Sequence, residues 1–168
     1  MKSRLLKALI GVLAIIGALA TIFAVVSAVN SDSDDVTRIT LISGVPVNFT
    51  YDNPPGGVPG QTTYFVGKVT KPSGEAFGLV TGSFRSVAPV SGNLGEVRLR
   101  HLVFDLPDGQ IIATGNSVYS PSQVEITKNT KIVIAVIGGT GKYIGARGEL
   151  TTNRNDDGTY TSRFALLK

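Results

Sequence analysis

The chain has 168 residues, of which 42% are hydrophobic and 17% charged, and it contains 20 Gly and 8 Pro. This length favours one domain, and the composition argues against a helical bundle, a coiled coil or a disordered chain. Three of the 16 basic residues lie within the first seven positions, so the remainder has 13 basic against 12 acidic residues, too small a surplus to indicate a nucleic-acid partner.

The N-terminus reads as an export signal or a membrane anchor. Residues 1–7 carry only positive charges, and Ala8–Val29 has no charged residue. The sequence Val26-Ser27-Ala28 places small residues where a signal peptidase cleaves. We therefore expect a signal peptide over residues 1–28, a linker over 29–35 and a domain over 36–168. Because the apolar run is long for a signal, an uncleaved anchor through residues 8–29 is the alternative. Both place the domain outside the cytoplasm, either secreted or anchored.

The remainder of the chain reads as β-strands separated by turns. Pro107-Asp108-Gly109 and Asn155-Asp156-Asp157-Gly158 are hairpin signals, and Lys71-Pro72-Ser73-Gly74 is a turn signal. Eight runs rich in Val, Ile, Thr, Phe and Tyr are the predicted strands: Val36–Ser43, Thr62–Thr70, Glu75–Val87, Glu96–Leu106, Gln110–Tyr119, Lys131–Ile137, Ala146–Asn153 and Thr159–Leu167. Eight antiparallel strands fit a closed barrel that can hold one small ligand. A β-sandwich fits the same strand count.

A glycine-rich segment separates the sixth and seventh predicted strands. It reads Gly138-Gly139-Thr140-Gly141-Lys142-Tyr143, followed by Gly145-Ala146-Arg147-Gly148. A phosphate-binding loop is excluded, because position 136 is Val and Tyr follows the Lys. The dinucleotide-binding pattern also fails, because Ile144 stands where a third Gly is needed and no helical pattern follows.

This segment resembles the GGTGKF-x-x-ARG signature of plant dirigent proteins and the corresponding glycine-rich segment of allene oxide cyclase. Asp108–Ile111 and Ala113–Gly115 are similar to the strand pair that precedes it in those families. The resemblance implies an all-β, eight-stranded antiparallel closed barrel, assembled as a dimer or trimer. It also implies chemistry in which an apolar cavity holds a reactive molecule in one conformation, for coupling or cyclisation, without a cofactor.

Candidate site residues come from this resemblance and from polar positions elsewhere. Arg147 matches the signature Arg and is the first catalytic candidate. Glu149, two residues along, is a further catalytic candidate, or it forms an ion pair with Arg147. His101, the only His, is a candidate general base. Tyr143, which matches the signature aromatic, can contact a ligand or plug the barrel. No metal site is expected, since the chain has no Cys and a single His.

Two further groups of residues complete the expectations for the site. Tyr51, Asp52 and Asn53 lie beside a proline-rich loop that can cover a barrel mouth, and they are candidate ligand contacts. Arg98 and Arg100 are expected on the strand face opposite to His101, exposed to solvent.

Three functions remain open at this stage. The first is an exported barrel that binds a hydrophobic small molecule and steers its cyclisation or coupling, which requires a cavity of roughly 300 Å³ or more. The second is a carrier of a lipid-like ligand, without catalysis. The third is a structural domain with a filled barrel, which associates through its apolar outer surface. The expected partners are a hydrophobic small molecule and further copies of the chain.

Overall fold

The computed structural model of the chain describes residues 35–46, 48–51, 60–90, 95–120 and 125–167. The predicted signal or anchor over residues 1–28 lies outside these residues, as do Asp52 and Asn53. Within the described residues, no helix has the length and apolar character needed to cross a membrane.

The described chain folds into nine β-strands. A short 3-10 turn, Gly141–Tyr143, lies between the seventh and eighth strands. The strands are β1 Val36–Ser43, β2 Asn48–Tyr51, β3 Thr62–Thr70, β4 Ala76–Val90, β5 Gly95–Leu106, β6 Gly109–Tyr119, β7 Lys131–Gly139, β8 Gly148–Arg154 and β9 Tyr160–Leu167.

The strands form one closed antiparallel sheet. Their order is β1-β9-β8-β7-β6-β5-β4-β3-β2, and β1 also pairs with β3, which closes the sheet into a barrel. This closing contact joins Ile42 to Thr70 and Ser43 to Val69. β2 pairs with the preceding half of β3, from Val66 to Thr63. β1 and β2 thus share one edge of β3, and the barrel has eight strand positions.

The predicted fold class is confirmed, and the sandwich alternative is wrong. All eight predicted strands are present, and the bounds of β1 and β3 match the prediction. The prediction missed β2, because Gly44, Val45 and Pro46 interrupt the apolar pattern before it. It also began β8 at Ala146, whereas the strand begins at Gly148, since Ala146 still belongs to the turn that carries Tyr143.

The apolar core fills the barrel from its middle to the end where β5 meets β6. The rings of Phe104 and Phe164 pack edge to face, with 5.0 Å between their centres. Leu41, Ile111 and Leu150 are completely or almost completely buried beside them. Along β7, buried and exposed residues alternate strictly from Lys131 to Ile137, as expected for a sheet with one dry face.

The glycine-rich segment closes this end of the barrel, which we call the glycine end. Lys142 N donates a hydrogen bond of 2.8 Å to the Asp108 carbonyl oxygen in the β5–β6 hairpin. A Cβ at Gly141 would lie 2.3 Å from that oxygen, and a Cβ at Gly109 would lie 2.1 Å from the Thr140 carbonyl oxygen. Both glycines also have positive φ, 57° and 133°. The two turns therefore pack backbone against backbone, which only glycine permits.

Candidate functional site

A cavity lies inside the barrel, toward the end opposite to the glycine end; we call this the cavity end. Its volume is about 40 Å³, well below the roughly 300 Å³ expected for a ligand site. It has room for a few water molecules, so a larger ligand requires lining side chains to move. Six of its lining residues are apolar: Phe65, Val80, Phe84, Leu102, Phe104 and Ile126. Six others are polar: Arg100, Tyr119, Glu125, Thr152, Tyr160 and Ser162.

Strand β5 supplies both polar and apolar residues to this lining. Every second residue from Glu96 to Leu106 is buried, because successive side chains of a strand point to opposite faces. The buried row is charged at the cavity end and apolar toward the glycine end. The prediction that Arg98 and Arg100 are exposed to solvent is wrong, since they are 8% and 4% exposed. The row runs inward without a break through Leu102 and Phe104.

Glu96 and Arg98 form a buried ion pair within this row. The Arg98 Nε donates to Glu96 Oε1, and both residues are less than 10% exposed. The Arg98 guanidinium also lies 4.2 Å from the centre of the Tyr119 ring, a distance that suits a cation–π contact. Glu96 therefore compensates the charge of Arg98, and Arg98 in turn holds the ring of Tyr119.

Arg100, the next inward residue, has no such partner. Within the described residues, neither its Nε nor its Nη1 has a hydrogen-bond partner, and it forms no salt bridge. Its guanidinium carbon lies 5.5 Å from the centre of the Phe84 ring. The buried Oγ1 of Thr152, on the same cavity, also lacks a partner among these residues. Buried polar groups without partners are rare in native proteins and mark places where a ligand or water binds.

Aromatic side chains line the cavity beside Arg100, and we call them its aromatic wall. The rings of Phe65 and Phe84 stack, with 4.9 Å between centres and an angle of 21° between planes. Tyr119 continues the row, 5.7 Å from Phe84 and tilted by 49°. Such a surface suits contact with a conjugated or otherwise flat apolar molecule.

A second ion pair lies at the rim of the cavity. Arg154 Nη2 pairs with a carboxylate oxygen of Glu125, which lines the cavity. Burial, together with the negative charge of Glu125, raises the pKa of the Tyr160 hydroxyl well above its ordinary value. Burial also raises the pKa of Tyr119, although Arg100 and Arg98 oppose this shift. Both phenols are therefore neutral at physiological pH and available as hydrogen-bond donors.

Two of the sequence-predicted site residues lie at the glycine end. Tyr143 is 8% exposed and packs against the core, and burial raises the pKa of its hydroxyl. Arg147 is exposed and lines an outer groove of about 810 Å³ together with Tyr143. Tyr143 and Arg147 are thus brought together, but neither lines the interior cavity.

The other predicted site residues are spread over the molecule. His101 and Glu149 are exposed on β5 and β8, and in the described part of the chain no salt bridge joins Glu149 to Arg147. Tyr51 pairs through its backbone with Thr63, and its side chain is not among the described ones. The sequence reasoning missed the cavity residues, although the alternation along β5 would have placed Arg98 and Arg100 in the same row as Leu102.

Several solved structures share this fold. A pyocyanin demethylase is 21% identical, with a TM-score of 0.61 over 77% of this chain and 99% of its own. A nonspecific heme-binding cyclase that catalyses a [4 + 2] cycloaddition during neoabyssomicin biosynthesis is 18% identical, with a TM-score of 0.64 over 90% and 76% of the two chains. The Diels-Alderase AbmU from Streptomyces koyangensis is 16% identical, with a TM-score of 0.59 over 89% and 73%.

These likenesses show a barrel fold shared with cyclases. No family model matches the chain, and no curated protein matches its sequence. The resemblance to dirigent proteins and allene oxide cyclase therefore stays a prediction.

Proposed function

We propose that this protein is an exported barrel that binds a hydrophobic small molecule in its interior and steers its cyclisation without a cofactor. The observation that carries this proposal is Arg100, a buried guanidinium with unpartnered nitrogens on a cavity that has an aromatic wall. The fold shared with cyclases and Diels-Alderases supports the same class of chemistry.

The lining residues of the cavity contribute to the reaction in different ways. The Phe65–Phe84 surface holds an apolar chain in a folded conformation, which lowers the entropic cost of ring closure. Arg100 donates hydrogen bonds to an oxygen of the same molecule, and so fixes the position and orientation of its reacting chain. The surrounding apolar side chains exclude water, which strengthens this interaction. Tyr119 and Tyr160, both neutral, provide further hydrogen-bond donors in the cavity lining.

The small cavity favours one competing function, a structural domain with a filled barrel. A volume of about 40 Å³ leaves little room for a ligand unless lining side chains move. Exposed apolar side chains on the outer surface, such as Val118 and Ile137 at 56% and 54% exposed, suit the association of copies in either case. Self-association as a dimer or trimer is therefore part of both functions.

Native mass spectrometry of the protein, purified from its own source without detergent, tests the proposal. We expect one small hydrophobic molecule per barrel, and the same spectrum reports subunit number and removal of residues 1–28. A barrel that stays empty after soaking in polyene, phenolic and fatty-acid mixtures would favour the structural function.

Turnover then tests the role of Arg100. Once a compound is identified, its acyclic precursor is incubated with the wild type, Arg100→Gln and Arg147→Gln. We expect turnover to fall by about 100-fold in Arg100→Gln, the size of effect that follows when a reacting group is misplaced by about 1 Å. A comparable loss in Arg147→Gln alone would move the site to the outer groove at the glycine end.

A further inference from the structure

The charged residues at the cavity end pair with one another, except for one. Glu96 pairs with Arg98, and Glu125 pairs with Arg154. Arg100 is 4% exposed and forms no salt bridge with any described residue. Among the described residues, this end of the barrel therefore holds one buried positive charge that no carboxylate compensates.

The phenols of the cavity do not supply the missing negative charge. Burial raises the pKa of both Tyr119 and Tyr160, so these side chains stay neutral at physiological pH. Thr152 and Ser162 contribute only hydroxyl groups. The undescribed part of the chain contains three acidic side chains, Asp32, Asp34 and Asp52, so all three need controls.

A buried charge without a counter-ion is costly, because its hydration shell is lost and no opposite charge replaces it. The structure tolerates this cost at a position where the guanidinium borders a cavity. A planar guanidinium presents its N–H donors in a fixed fork that matches a carboxylate or a similar flat anion.

We infer that the ligand of this cavity is a monoanion, a conjugated or apolar chain that ends in a carboxylate or an acidic enol, and that its charged end pairs with Arg100. The inference rests on the proposed function and narrows it, because it assigns the class of molecule that the same site takes. The anionic end sets the orientation of the molecule, and the chain lies along the Phe65–Phe84 wall.

Binding of two matched probes tests this inference. Sodium sorbate is a six-carbon conjugated diene with a carboxylate, and sorbamide has nearly the same shape but no charge. We expect the wild type, studied by isothermal titration calorimetry at pH 7, to bind sorbate at least about tenfold more tightly than sorbamide. A charge-assisted hydrogen-bonded pair provides a difference of this size.

Five variants assign the preference to a residue. Arg100→Gln is expected to bind both probes equally, and Arg100→Lys to keep part of the preference, because it retains the charge but not the planar fork. Arg85→Gln, which changes an exposed Arg on the neighbouring strand β4, is expected to behave as the wild type. Asp52→Asn and the double variant Asp32→Asn/Asp34→Asn should also leave the preference unchanged. Circular dichroism confirms that each variant is folded.

The outcomes separate the inference from the proposed function. Equal binding of sorbate and sorbamide by the wild type would overturn the anionic class but leave a small-molecule-binding barrel. Tighter sorbate binding in Asp52→Asn would reveal Asp52 as the counter-ion of Arg100 and overturn the inference. Binding of neither probe would count against the proposed function itself, and the inference would fall with it.

Discussion

The two ends of the barrel are held together by different means. At the glycine end, the β5–β6 hairpin and the β7–β8 turn pack backbone against backbone, with no room for a side chain at Gly109 or Gly141. At the cavity end, the interior holds ion pairs, phenols and hydroxyls, and Arg100 and Thr152 are left without hydrogen-bond partners among the described residues. Close backbone packing stabilises the glycine end. The buried polar groups of the cavity end lower stability but can bind a ligand, as is typical of binding sites.

The largest effect is expected from breaking the buried ion pair at the cavity end. Arg98→Met leaves the Glu96 carboxylate buried without a partner, and we expect the free energy of unfolding to fall by about 3–5 kcal/mol. Urea unfolding measures this loss. The double variant Glu96→Leu/Arg98→Met should recover most of it, because no unpaired charge remains. Arg100→Met should cost nothing or stabilise the fold; a loss as large as that of Arg98→Met would mean that Arg100 has a partner.

A side chain at Gly109 tests the close packing of the glycine end. In Gly109→Ala the new Cβ would lie 2.1 Å from the Thr140 carbonyl oxygen, at a φ of 133°. We expect a loss of about 3 kcal/mol in the free energy of unfolding, from backbone strain together with the collision. Gly145→Ala is the matched control, since Gly145 has a φ of 77° but no atom within 4 Å of its Cβ position. It should lose only about 1 kcal/mol; equal losses would show that strain alone, not contact, limits this end.

Two buried threonines give a smaller effect of opposite sign. Thr152 Oγ1 has no partner among the described residues, so Thr152→Val should stabilise the fold by about 1 kcal/mol in the absence of ligand. Thr161 Oγ1 donates a hydrogen bond of 3.1 Å to Asn155 Oδ1, so Thr161→Val should destabilise it by about 1 kcal/mol. Thermal unfolding of the two variants compares them directly. A loss in both would indicate that an ordered water satisfies Thr152.

The smallest effect is expected at high pH. Burial raises the pKa of Tyr160 above that of an unfolded tyrosine, which is about 10. The unfolded chain therefore loses this proton first, so the free energy of unfolding is unaffected well below pH 10 and falls as the pH rises above it. Tyr160→Phe should make this fall less steep between pH 9 and pH 11. Urea midpoints over this range measure the slopes of the wild type and the variant.

Much of the fold was predictable because strand length, β-branched residues and turn residues are local signals. The hairpins at Pro107-Asp108 and Asn155–Gly158 lie where those residues predict them. β2 was not predictable, because its four residues are specified by pairing with β3 and not by their own pattern.

The candidate site was predictable only in part. The resemblance in the glycine-rich segment led to the prediction of Arg147 and Tyr143 as site residues. The glycines of this segment are there because two backbones approach closely, which is a packing requirement. Arg100 carries no motif, and only its phase along β5 shows that it points inward. Arginine is rarely buried on a strand, so the sequence pattern favoured the wrong prediction that Arg100 is exposed to solvent. The roles of Arg147, His101 and Glu149 stay predictions.

The position of β1 between β9 and β3 has a consequence for folding. The first strand cannot complete the barrel until the last strand, which ends at Leu167, is available to pair with it. Closure therefore joins residues from opposite ends of the domain, a contact of nearly maximal sequence separation, and such contacts form slowly. Until then β1 and β9 both present open edges, on which other chains can pair. Truncation before Tyr160 should consequently yield an aggregating chain rather than a smaller barrel.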